Sequence, residues 1–155
     1  MSSVAEEADH RETARRIFVA VQEDFSSLRS NLNEDPVPQI DLELTLDKQP
    51  GLIFQVAASL QGDQLCLGVG DTCFAEWFPC SDPRVAIDFE MCLRGVLSGH
   101  IRLVEFRRGS QIFKAQLQDG STGHWKTVAT FIQIHWPSFR KADILVHRNR
   151  PLKPW

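Results

Sequence analysis

At 155 residues, with 43% hydrophobic and 24% charged side chains and a net charge of -3, the chain has the make-up of one globular domain. It is long enough to bury about 70% of its unfolded surface without disulfide or metal staples. Its longest uncharged apolar stretch, Gly51–Gly62, is too short and too polar to cross a bilayer, and the acidic start MSSVAEEADH lacks the basic and apolar run of a secretory signal. An intracellular, cytoplasmic protein is therefore expected. Cys66, Cys73, Cys80 and Cys92 show none of the close pairing that marks a metal site, so reduced, buried thiols are expected, with no metal and no cofactor.

The first helix is predicted from about Val4 to about Asn31. Ser3 opens it with Glu6 three residues on, a pattern in which each side chain caps the other's backbone N–H. Ala14, Phe18, Val21, Phe25, Leu28 and Leu32 step by four and three, a stripe suited either to lying on a sheet or to pairing with a second copy as a dimer seam. Asn33–Pro38 reads as a linker. Ile40, Leu42, Leu44 and Leu46 alternate with Asp41, Glu43 and Thr45, which predicts a half-buried strand. Turns at Gln49-Pro50-Gly51, Gln61-Gly62-Asp63 and Gly70-Asp71 then delimit strands over Leu52–Leu60, Leu65–Val69 and Thr72–Phe78. The four make a meander over 39–78.

Ser81–Gly99 carries both ends of a helix in its sequence: Ser81 or Asp82 as cap, Pro83 at the first position and Gly99 as the stop. Ala86, Phe89, Leu93, Val96 and Leu97 form its apolar side. Period two returns in Ile101–Arg107, Gln111–Leu117 and the longer His124–Trp136, a three-strand meander over 100–136. Residues 138–155 read as a basic arm, its first part either a short helix or extended, ending in NRPLKPW. No repeat of fixed period is present. The predicted fold is α+β: a single domain over 1–155 in which one antiparallel sheet of about seven strands has both helices on one face, in the order α-ββββ-α-βββ-tail.

Charge is unevenly placed. Residues 1–98 hold 17 acids against 7 bases, and residues 99–155 hold 3 acids against 10 bases. Such halves either offer a basic surface to a partner or face each other and cancel, and the single spacing of the bases along strands favours cancellation.

No catalytic residue is assigned. His10, His100, His124, His135 and His147 fall in no ligand spacing, and His124 and His135, eleven residues apart on one strand, would point to opposite faces roughly 36 Å apart. Gly68-Val69-Gly70 suits a hairpin better than a phosphate cradle. Cys80, before the second helix, is the best-placed thiol, because the positive end of a helix dipole lowers a thiol pKa. Trp77, Trp125 and Trp136 either fill the core or line a groove, with Arg102, Lys114 and Lys126 supplying charge beside it.

Two readings compete. In the first the chain is a non-enzymatic binding domain. It would hold a protein partner, or a second copy of itself, by the uncovered sheet face or by Arg140, Lys141, Arg148 and Arg150 of the arm. A pI near 5.9 and the lack of an RNA-binding motif argue against nucleic acid. In the second a small ligand or substrate enters a pocket between sheet and helices, with Cys80, His100 or His135 as its polar groups. In size and acidity the chain is similar to small specialised chaperones and bacterial immunity proteins, a likeness of class that rests on no motif.

Overall fold

Ser3 opens helix α1 (Val4–Asp24) as its sequence implies: its hydroxyl accepts from the Glu6 N–H at 3.3 Å, and its own N–H donates to Glu6 Oε2 at 2.7 Å. The computed structural model describes residues 3–133 and 140–151. Ala14, Ile17, Phe18 and Val21 are buried in the chain's own core, so this stripe lies on the sheet and is not exposed as a dimer seam. The helix stops at Asp24, well short of Asn31. Phe25 leaves helical geometry (φ -104°, ψ 35°), and two serines of modest helix propensity follow.

The chain then enters β1 (Asn31–Asn33), which pairs with β2 (Leu42–Leu46). With β3 (Val56–Gln61), β4 (Gln64–Val69) and β5 (Cys73–Trp77) they form a five-stranded antiparallel sheet in chain order. Register carries the alternation across it: Leu42, Leu60, Leu65 and Trp77 lie in one inward row, and Leu46, Val56, Val69 and Cys73 in another. Glu43, Thr45, Phe74 and Glu76 alternate onto the outer face.

Helix α2 (Pro83–Ser98) begins where Asp82 Oδ1 accepts from the Arg84 N–H at 2.9 Å, and ends at left-handed Gly99 (φ 81°). It leads into a second antiparallel sheet of β6 (Ile101–Arg108), β7 (Gln111–Asp119), β8 (Lys126–Ile132) and β9 (Asp143–His147), in the spatial order β8-β7-β6-β9. Gly95 lets this sheet come close to the helix, because a Cβ there would stand 2.7 Å from the Ile101 side chain. Phe18, Phe89 and Trp77 bring both helices and β5 to one aromatic cluster, and the inward faces of both sheets share that core.

The fold is thus α+β with antiparallel sheets, but nine strands in two sheets of five and four replace the single sheet of about seven. After α2 the chain starts a new centre in β6 instead of adding to β5. Edge strands β5 and β8 then meet without a ladder across a cleft of about 440 Å³ lined by Phe74–Trp77 and Val128–Phe131. In β8, Val128 is an extra residue opposite Leu117 and Gln118, a bulge that bends the strand at this junction. The strand is also shorter than His124–Trp136: His124 precedes it, while His135 and Trp136 lie outside the described residues.

The part of the arm within the described residues is built into the fold. Its β9 pairs with β6, and Asn149 is buried, donating to the Leu97 carbonyl and accepting from the Ile53 N–H at 3.3 Å. Among the described residues no helix is long and apolar enough to cross a membrane.

Candidate functional site

Two places bring chemistry-bearing side chains together. The first is a cleft of about 790 Å³ between α2 and the β8 side of the second sheet. Its apolar wall is Trp77, Met91, Cys92, Ile101 and Val128, and its polar groups include Ser98, His100, Asp119 and Lys126. Its volume suits a small ligand. Trp77 and Lys126, expected beside one groove, meet here with His100, expected in a separate pocket. That third convergence was not legible, because the three come from β5, β8 and the residue after the helix stop. Ser98, Met91 and Asp119 were missed, as no local pattern marks them.

Catalytic geometry is incomplete in this cleft. The Ser98 hydroxyl lies 3.0 Å from His100 Nδ1, but it also reaches the Gly95 carbonyl at 3.2 Å, and among the described residues no carboxylate bonds the other ring nitrogen. Asp119 accepts from both the N–H and the hydroxyl of Ser121. Arg94 is held by Asp24 at 2.6 Å and Glu90 at 2.9 Å, which keep its guanidinium strongly basic despite partial burial. An acyl-transfer triad needs a base oriented by a third group, and that group is lacking here among the described residues.

Cys80 does not reach this cleft. It is buried, with its Sγ 3.9 Å from the His10 carbonyl. Burial first, then Asp63 and Asp9, push its thiol up to about 11, the reverse of the lowering expected from the helix end. Desolvation outweighs the dipole because the thiol sits under α1. Burial likewise raises Cys66 to about 11 and Cys73 and Cys92 to about 12, so all four free thiols stay protonated at neutral pH. Among the described residues no three His, Cys, Asp or Glu side chains converge as metal ligands.

The second place is the face of the four-stranded sheet turned away from the shared core, where Val104 is buried and Ile132, Ile144 and Val146 are exposed. Arg102, Val104, Phe106 and Arg108 alternate onto this face from β6. Register sets Phe106 beside Lys114 and Ile144, and Val104 beside Gln116 and Val146. The cations lie on aromatic rings: Arg102 over Trp125 at 4.0 Å, Arg108 over Phe113 at 4.3 Å and Lys114 over Phe106 at 4.6 Å, with Arg148 5.4 Å from Trp125. Arg148 also donates to the Gly99 carbonyl at 2.6 Å, and Arg102 to Gln118 at 3.0 Å.

The sheet's three acids, Glu105, Asp119 and Asp143, fall on the opposite face. There Glu105 is buried and accepts from the Thr72 hydroxyl at 2.6 Å, with His147 Nε2 at 3.1 Å. The outer face of the first sheet presents Glu43 and Glu76 and no base among its strand positions. The outer strand positions of the two sheets thus differ in sign, with Glu43 and Glu76 on the first and Arg102, Arg108 and Lys114 on the second.

Of the residues expected at a partner surface, Arg102, Trp125 and Arg148 meet on the basic face. Trp77 and Lys126 belong to the cleft, so among the described residues no single groove joins Trp77 to Trp125. Arg140 packs by the Gly109 turn, while Lys141 and Arg150 are exposed. Lys114, expected as a groove charge, stands on the basic face, and Arg108, Phe106 and Phe113 were missed. The alternation Arg102, Val104, Phe106, Arg108 was the signal that could have found them. No protein-family model, curated protein or solved structure matches this chain.

Proposed function

We propose that this chain is a non-enzymatic binding domain that holds a protein partner on the outward face of its second sheet. The observation that carries this reading is the outward face of the second sheet, which among the described residues has three cations, Arg102, Arg108 and Lys114, and no acid at its strand positions, with Arg148 beside them and exposed Ile132, Ile144 and Val146 interspersed. Cations seated on the rings of Trp125, Phe106 and Phe113 leave little aromatic face for bases to stack on. Guanidinium edges, in contrast, stay open to carboxylates, which favours an acidic protein surface over single-stranded nucleic acid. A cytoplasmic location belongs to the same reading, since four free buried cysteines accord with a reducing compartment.

The test is recovery of tagged protein from nuclease-treated lysate of its own source, comparing wild type with Arg108→Glu/Lys114→Glu/Arg148→Glu. The bound protein should fall about tenfold or more in the variant, and a Glu43→Lys/Glu76→Lys control should retain it. Equal recovery by both variants, or a partner lost on nuclease treatment, overturns the reading.

A second reading rests on the cleft of about 790 Å³, whose size and apolar wall suit a small ligand. Met91 lines it and is exposed, so Met91→Trp fills it at little cost to folding. Ligands found by thermal stabilisation should lose their effect in that variant. A stabilising ligand indifferent to Met91→Trp would bind elsewhere.

A further inference from the structure

An edge strand exposes unpaired N–H and C=O groups, and proteins blunt such edges with short strands, bulges, Lys or Pro. The free edges here differ in this respect. The outermost strand of the first sheet, β1, has three residues, two of them Asn, and β8 carries the Val128 bulge. At the other end of the second sheet, β9 has none of these devices. It reads Asp143-Ile144-Leu145-Val146-His147, pairs with β6 in unbroken register, and has no second neighbour among the described residues. Ile144 is 60% exposed and Val146 52%.

The five residues are complementary to themselves. About a twofold axis through Leu145, an antiparallel copy sets Asp143 opposite the second copy's His147, Ile144 opposite Val146, and Leu145 opposite Leu145. Each Asp143 carboxylate then faces an imidazole, which is a hydrogen-bond donor through one ring N–H, and the β-branched residues meet on the outer face. Sliding the register by two residues either way breaks this match: one slide opposes Asp143 to Leu145, the other opposes Ile144 to Arg148.

We infer that β9 is a homodimer edge, where two chains pair antiparallel about Leu145 and their four-stranded sheets become one of eight. The arrangement is isologous and closes on itself, so it ends at two chains. It covers Ile144 and Val146 and brings the two basic faces side by side in one surface. This inference concerns the edge of the sheet and stands independently of what its face binds.

The test has two parts. Sedimentation equilibrium up to about 0.5 mM should give twice the 17.6 kDa chain mass for the wild type. Ile144→Lys/Val146→Lys, at exposed sites that leave the fold intact by circular dichroism, should weaken association by roughly a hundredfold. In the second part, single cysteines are cross-linked with oxidised glutathione, the four native thiols being buried. Leu145→Cys should form a disulfide dimer alone, whereas Ile144→Cys and Val146→Cys should cross-link when mixed and only weakly when separate. A monomer at every concentration overturns the inference. So does a dimer whose cross-links ignore this register, which would place the contact elsewhere.

Discussion

Phe89→Ala should lower the unfolding free energy by about 3–5 kcal/mol, the range for removing a fully buried aromatic side chain. Phe89 has 0% exposure and sits between Phe18 of α1, at 6.2 Å between ring centroids, and Trp77 of β5, at 5.4 Å with the rings nearly perpendicular. Edge-to-face contact of this kind adds to the area it buries. The site is walled by two helices and a sheet, so collapse around the gap is limited and the cavity contributes to the loss. Urea unfolding should show the midpoint falling with an unchanged slope, and melting should occur roughly 10 °C lower. A loss below about 1 kcal/mol would mean that the three elements do not meet at this ring.

Gly99→Ala should cost about 3 kcal/mol and loosen the C-terminal strand in particular. Two effects add at this residue. A left-handed backbone at φ 81° costs an L-residue roughly 1–2 kcal/mol, and a Cβ there would overlap the Asn149 carbonyl oxygen. Moving Asn149 away separates its side chain from the Leu97 carbonyl and the Ile53 N–H, in a place where lost partners cost about 1–3 kcal/mol. Hydrogen exchange should then accelerate at Ile144–Val146 while the β3 amides keep their protection. Asn149→Ala alone should lose about 1–2 kcal/mol, and the double variant should lose less than the sum, since both changes break the same junction. Full additivity would show that the glycine is needed for the helix stop alone.

The elements that were legible are those whose cause is local. Ser3 with Glu6, Asp82 with Pro83, and Gly99 each act within one helical turn, and the alternation from Leu42 to Leu46 needs only the two-residue repeat of a strand. Opposite charge in the two halves was legible as well, whereas the placing of Glu43 and Glu76 on one outer sheet face and of Arg102, Arg108 and Lys114 on the other follows from strand register.

What the tertiary structure alone decided concerns partners far apart in the chain. Whether β8 adds to β5 or stops beside it depends on how α2 returns the chain, and no local residue reports that. Asn31–Asn33 and Asp143–His147 become strands because β2 and β6 offer them an edge, not through strong patterns of their own. The cleft forms where residues of β5, α2 and β8 are brought together, and the Cys80 thiol is raised because α1 covers it. Caps and alternation act within a few residues of sequence, whereas sheet order, burial and convergence of charge are set by packing between segments tens of residues apart.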